Sequence, residues 1–384
     1  MRNCSIHLFP RNSGSCICWN CAYVSEHHVS IAEHNPPALL ADAERAYHSK
    51  IRVKVMMLIV LAVALCAAAV IDICVGSSGL SPSDVLAAIF QPESVSRGVR
   101  AIVVDVRLPY SLMALLVGAS LSLAGAEMQT ILDNPLASPF TLGVSSAASF
   151  GAALAIVLQL GVPGLPAEWF IPANAFIFAF GSVLLLQALS GLRGAGVETL
   201  VLFGIALVFI FNALVAIMQF VASAEALQQL VFWSMGSLTR STWTKLQIMA
   251  LVMACVVPFS MAACWKLTAL RLGEDRARSF GIDVTRLRFF SLLRVSILAA
   301  TSVSFVGTIG FIGLVGPHIA RLLVGEDHRF FLPASMLCGA LVMALASAAS
   351  KIIVPGVLIP VGIVTSLIGV PFFLALIFST KGKA

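Results

Sequence analysis

The sequence predicts an all-α membrane protein with about ten transmembrane helices, and three observations carry that prediction. Hydrophobic residues make up 59% of the 384 and charged residues only 11%, where a soluble domain carries roughly 25% charged residues. Apolar runs of about 20 residues recur, each long enough to cross a ~30 Å hydrocarbon core. The runs are continuous rather than alternating. Of the two structures that satisfy every backbone hydrogen bond in lipid, helices are therefore favoured over a closed barrel. The net charge of +6 does not signal a nucleic-acid partner. It is scattered over short loops between apolar runs and forms no continuous basic stripe.

Two regions follow, a polar tail at 1–54 and a ten-span domain at 55–380. The tail lacks the apolar core of a signal peptide. It reads as a disordered cytoplasmic tail or as an over-long translation start, with Met56 and Met57 at the edge of the first span. A metal site from Cys4, Cys16, Cys18 and Cys21 with His27 and His28 is a third reading, but the spacing is not a standard zinc pattern. Cys66, Cys74, Cys255, Cys264 and Cys338 lie in or beside apolar runs, where Cys acts as a small hydrophobe.

The spans are read at 55–75, 108–127, 136–158, 170–190, 199–221, 243–265, 288–306, 309–325, 332–350 and 357–378. An even number puts both termini on one side. With that side cytoplasmic, only Arg97, Arg100, Arg107, Arg240, Lys245 and Lys351 of the 24 Lys and Arg fall outside. That is the positive-inside pattern. In the first external connection, Ser81-Pro82-Ser83-Asp84 signals a helix start.

On the second span, Gly118, Ser122 and Gly125 share a face, and Gln129 continues it. Small residues let helices approach closely in lipid. This face is a packing seam, or it is a pathway wall with Gln129 at its polar end. Asn134-Pro135 and Ser138-Pro139 cannot sit inside a regular helix. Leu136, Ser138, Thr141, Ser145 and Ser146 then lead into the third span. Irregular backbone at a membrane boundary is tolerated where protein or a watery cavity covers it, so this segment suits a gate or an ordinary loop and cap.

The largest internal connection, 266–287, holds a short helix bracketed by Gly273 and Gly281. Glu274 and Asp275 come first, Arg276 and Arg278 later, and Gly281 is the C-terminal cap, in agreement with dipole and capping rules. Ala277 and Phe280 share a face at i, i+3, which suits a protein partner or the lipid surface. Gly307, Gly310, Gly313 and Gly316 then recur every three residues, a helix-packing pattern. Pro317 can open a fresh helix, with Gly325 closing it. His318 can be a ligand, a proton carrier or a structural hydrogen-bonding residue.

In this order, RLP at 107–109, GASLSLAGAEMQ, NPLASPFTLGVSS, WSMGSL at 233–238, LGEDRARSFGI, GFIGLVGPHIARLLVGEDHR and IPVGIVTSLIGVPFF make the chain resemble the iron-chelate and cobalamin permease family of ABC importers. The match runs from about residue 56 to 378. The resemblance implies a type II ABC importer permease architecture in a bacterial inner membrane. It implies a second permease subunit, expected as a homodimer, two ATPase subunits, and a periplasmic substrate-binding protein. By the same resemblance Leu272 to Ile282 is the coupling helix that docks on the ATPase, with Leu272, Gly273, Glu274, Asp275, Ala277, Phe280 and Gly281 as its set. Asn134, Pro135 and Leu136 lie near the cytoplasmic gate, and Arg107 and Lys351 meet the binding protein. The chain departs from the family pattern at Tyr110, Ser347, Lys351 and Leu358, where members often carry Arg, Asp, Arg and Glu.

The chain has no G-x-x-x-x-G-K-[ST] phosphate loop, so ATP and Mg are expected on the partner ATPase and no cofactor or metal on this chain. No nucleophile–base pair or metal-ligand cluster lies in the spans, which disfavours an enzyme. The expected cargo is a ferric siderophore or related iron chelate, with haem or cobalamin as alternatives. The rival class is an ion-coupled secondary transporter. Such carriers bury ionisable groups mid-span, whereas Glu127, Asp133, Glu198, Arg294 and His318 lie toward the ends of the expected spans.

Overall fold

Each apolar run of the sequence becomes a helix. The computed structural model describes residues 36–76, 79–161, 163–192, 197–354 and 356–380, and no strand occurs among them. The tail cysteines and His27 and His28 lie outside the described residues, as do Arg193, Lys381 and Lys383. The chain divides into two units, Met1–Ile51 and Arg52–Ala384. Of the first, the described residues are the opening turns of helix α1 (Pro36–Cys74). Helical backbone thus begins well before residue 54, although the tail was expected to be irregular up to there. Ala, Leu, Glu, Arg and Lys dominate this stretch and Pro36 opens it, which is good helix chemistry without apolar periodicity.

The second unit continues α1 and adds α2 (Pro82–Phe90), α3 (Arg97–Ala101), α4 (Leu108–Ile131), α5 (Val144–Val157), α6 (Phe170–Leu192), α7 (Val197–Val221) and α8 (Ala224–Ser234). There follow α9 (Trp243–Ala262), α10 (Cys264–Leu270), α11 (Glu274–Ser279), α12 (Val284–Val306), α13 (Ile312–Val324), α14 (His328–Ile352) and α15 (Val361–Thr380). The start signal before α2 works as read. The Asp84 amide donates to Ser81 Oγ at 3.2 Å, and the Ser81 amide donates back to Asp84 at 3.3 Å.

Among the described residues seven helices are long and apolar enough to cross a membrane, and α5, α13 and the Val361–Pro371 part of α15 are shorter apolar helices. Together they occupy the places of the ten expected spans. With 14 and 13 residues, α5 and α13 reach only about 20 Å, short of a ~30 Å core. Irregular backbone makes up part of the distance. After α4 the chain turns back beside it, and a Cβ on Gly313 would meet both Leu121 O at 3.1 Å and Pro139 Cδ at 3.7 Å. Leu121 is midway along α4, so by Pro139, ahead of α5, the chain has returned to that helix's middle level. The expected spans 136–158 and 309–325 therefore contained non-helical backbone, which hydropathy alone does not distinguish from helix.

Helix α4 is buried along most of its length, packed by α9, α10, α12, α13 and α14. Its small-residue face is the seam. A Cβ at Gly118 would strike the Gly339 carbonyl and one at Gly125 the Gly313 carbonyl, and Ser122 Oγ donates to Ser335 O at 2.6 Å. Packing thus accounts for Gly118, Gly125, Gly313 and Gly316. Gly310 does not pack; a Cβ there would meet nothing within 4 Å. Pro317 does not open a helix either. It lies inside α13, where its missing N–H frees the Gly313 carbonyl, and Gln129 Nε2 donates to that oxygen at 3.4 Å.

Candidate functional site

A cavity of about 950 Å³ lies where the irregular segments meet. Its wall runs from Ser138, Phe140, Thr141 and Ser145 to Ser234, Met235 and Thr308, with Gly310, Phe311 and Leu314 on one flank and α15 on the other. Non-helical backbone at membrane depth is stable where it lines such a space. The surface is mostly apolar with hydroxyl groups of Ser and Thr set into it, and no described lining residue is ionisable. Three chain segments are tied together beside this wall. The Ser237 amide donates to Val306 O at 2.7 Å, the Gly362 amide to Gly236 O at 3.1 Å, and Thr308 Oγ1 to Ser234 O. Gly236 and Gly307 adopt φ +68° and +78° at this crossing, a region open to glycine at no steric penalty.

Of the residues expected at the gate or pathway, Ser138, Thr141 and Ser145 line the cavity, and Ser146 is half-buried beside it. Gln129 is buried in the seam and accepts from Arg321 Nη2 at 3.1 Å, so it is an interhelical tie and not a wall residue. Asn134 caps its own turn, accepting from the Leu136 amide at 2.9 Å, while Pro135 and Leu136 are exposed where α4 ends. Gly310 belongs to the wall. His318 is half-buried and does not line the cavity. Phe140, Thr308, Phe311 and Ser366 were missed, because an aromatic or hydroxyl residue in an apolar run carries no mark of what it faces.

At the end of α4 lies a charged cluster. Arg271 Nη1 donates to Asp133 Oδ1 at 2.5 Å, and its Nη2 and Nε donate to Glu326 at 2.6 and 3.2 Å. Arg288 Nε donates to Ile131 O at 3.0 Å and its Nη2 pairs with Glu274, the first residue of α11. Burial opposes ionisation of Glu326, but the hydrogen bond from Arg271 and the charges of Arg271 and Arg321 outweigh it and hold its pKa below the ordinary value. A depressed folded-state pKa means the ion pair is complete above the ordinary carboxylate value and is lost as pH falls through the lower, folded one. The pair of Glu326 with Arg271 is therefore insensitive to change around neutral pH.

Helix α11 ends in the cap read from sequence. The Ile282 amide donates to Ala277 O at 3.1 Å and the Gly281 amide to Arg278 O at 2.9 Å, with Gly281 at φ +78°. Leu272 and Phe280 are exposed at 52% and 55%, but Ala277 is fully buried. Ala277 thus faces the body of the protein and shares no partner face with Phe280. The helix has six residues, too few turns for periodicity to choose its inner side.

Deeper in, the fully buried Glu127 receives Arg294 Nε at 3.1 Å and Nη2 at 2.7 Å. Arg294 lies midway along α12 because that helix starts at Val284 rather than at residue 288. Its expected place near a span end is corrected accordingly.

The opposite end of the helices corrects the expected docking pair. Arg107 and Lys351 are buried. Arg107 Nη1 donates to the Ile73 and Cys74 carbonyls at 3.0 and 2.9 Å, and Lys351 Nζ to Asp72 O at 2.6 Å and Asp72 Oδ1 at 2.8 Å. The last carbonyls of a helix have no partner within it, and here two cations from α14 and the turn before α4 supply them for α1. Three of the four departures meet at this point. Ser347 donates to Asp72 Oδ1 at 2.7 Å and the Tyr110 ring lies 4.6 Å from Lys351 Nζ. The acid partner of Lys351 thus comes from α1 and not from position 347.

Residues 57–379 match the FecCD transport family. The chain belongs to the FecCD transport family. Among relatives of this FecCD protein, one of Methanocaldococcus jannaschii named as an ABC transporter permease is 36% identical over 88% of this chain and 98% of its own length. The Fe(3+)-citrate import permease of Bacillus subtilis is 34% identical over 84% and 94% of the two chains. The molybdate import permease of Haemophilus influenzae is 35% identical over 73% and 82%. A solved inward-facing transporter of the metal-chelate ABC type aligns with a TM-score of 0.75 at 32% identity, covering 84% of this chain and 99% of that one. This FecCD chain is accordingly a multi-pass ABC importer permease, a transport subunit with the ten-helix architecture of that importer class. Membership also sets aside the ion-coupled carrier.

Proposed function

We propose that the chain is the translocation subunit of an ATP-driven importer that carries a ferric siderophore or related organic iron chelate from periplasm to cytoplasm. The uncharged wall of the 950 Å³ cavity supports this cargo best. A bare metal ion or small oxyanion would lose its hydration there without charged compensation. A metal already wrapped in an organic ligand meets hydroxyl and apolar groups that match its surface.

In this reading the cavity is completed by a second copy of the chain, and two ATPase subunits holding ATP and Mg grip the end that carries α11. That end is cytoplasmic, as are both termini, in a bacterial inner membrane. Leu272 and Phe280 offer the ATPase an exposed apolar face. At the other end Arg97 and Arg100 on α3 are exposed, and in place of Arg107 and Lys351 they are the cations offered to an acidic periplasmic binding protein.

The test is uptake by proteoliposomes holding the chain with the ATPase and binding protein of its own system. Accumulation of a radiolabelled ferric hydroxamate siderophore is expected to require ATP, with molybdate and unchelated iron left outside. Molybdate uptake without chelated-iron uptake would overturn the cargo. Accumulation by the chain without its ATPase would overturn the energy source.

A further inference from the structure

We propose that Arg271 and Arg288 are positioning residues that transmit movement of α11 to the segment 131–138. This deepens the reading of α11 as the helix gripped by the ATPase and rests on it. The two guanidinium groups flank α11 in the chain, and both reach the end of α4. Arg271 precedes the helix and holds Asp133, the second residue past α4. Arg288, shortly after it, holds Glu274 at the head of α11 together with the carbonyl of Ile131, the last residue of α4. From there the chain runs to Ser138, the first residue of the cavity wall. Arg271 also holds Glu326 between α13 and α14, so a shift of α11 loads both the end of α4 and the connection from α13 to α14.

Chemistry and exposure favour transmission over stabilisation. A guanidinium fork fixes direction as well as distance, so it passes on both push and pull, which a slipping apolar contact does not. The Asp133 side chain is 83% exposed in its pair with Arg271, and ion pairs so exposed contribute little to folding. Asp133 adopts φ +44°, an uncommon conformation for a residue with a side chain, at the joint between helix and irregular segment.

The experiment compares Arg271→Gln, Arg271→Lys, Asp133→Asn and the double variant Arg271→Gln/Asp133→Asn in the reconstituted full transporter. Siderophore transported per ATP hydrolysed is measured, with assembly followed by co-purification of the ATPase. We expect assembly and ATP hydrolysis to persist while transport per ATP falls about fivefold or more, the lower end of ordinary coupling between sites. The double variant is expected to match Arg271→Gln, which already breaks the link to Asp133 along with that to Glu326, and Arg271→Lys to recover part of the loss. Transport and hydrolysis falling together with assembly, or single and double variants equal to the unaltered protein, would overturn the proposal while leaving the importer reading intact. An unaltered protein that hydrolyses ATP without moving siderophore would instead remove the reading on which the proposal rests.

Discussion

Glu127 and Arg294 meet at a depth where neither charge is tolerable alone. The carboxylate is fully buried, both of its oxygens accept from the guanidinium, and Ser291 takes a further donor at 2.8 Å. Removing one member of such a pair costs about 3–5 kcal/mol, because it strands the other, while replacing both with apolar residues is close to neutral. Arg294→Met is therefore expected to lower the thermal stability of the purified transporter sharply, and Glu127→Met/Arg294→Met to recover most of it. A melting curve in detergent reads both. Gln129 makes the complementary point. Its position on the small-residue face was legible from helical spacing, but its partners were not, since they are a carbonyl released by Pro317 and the guanidinium of Arg321, both far along the chain.

Among the elements, α11 was the most readable and still held a surprise. Its caps are local chemistry, so Gly273, Glu274 and Gly281 announced them. Gly281→Ala forces a Cβ into the left-handed region, at a penalty of about 1–2 kcal/mol, and should loosen the helix end. Phe280→Ala should leave the permease equally stable in detergent yet weaken co-purification of the ATPase. An ATPase retained equally by both variants would show that the gripped surface lies elsewhere. The buried side of α11 depends on what α10 and α12 bring to it, so Ala277 was assigned to the wrong face. The short helices α5 and α13 were similarly hidden, because an irregular apolar stretch and a helical one have the same hydropathy.

At the scale of the whole molecule, the 950 Å³ cavity has a wall that includes Leu367, exposed at 67% on α15. An exposed leucine facing a hydroxyl-lined space suits a wall completed by another copy. In a cysteine-free background, Leu367→Cys is expected to cross-link two copies through a short bismaleimide in intact membranes. Monomer alone on the gel, alongside a cross-linked control, would count against pairing through this face. The other end is organised around α1, whose last carbonyls are met by Arg107 and Lys351, so the cations expected at the surface are spent inside.

Composition, apolar run length and capping residues were enough to establish a helical membrane protein, the places of its apolar helices and the short helix α11, and the ordered motifs pointed to its family. These properties depend on a residue and its near neighbours in the chain. The return of the chain to the middle of α4 at Pro139, the faces of Gln129 and Ala277, and the inward turn of Arg107 and Lys351 emerged only on folding. The link between Lys351 and Asp72 spans 279 positions, and no periodicity reports it. Buried polar groups must find partners wherever packing brings them, and that is a property of three-dimensional neighbours.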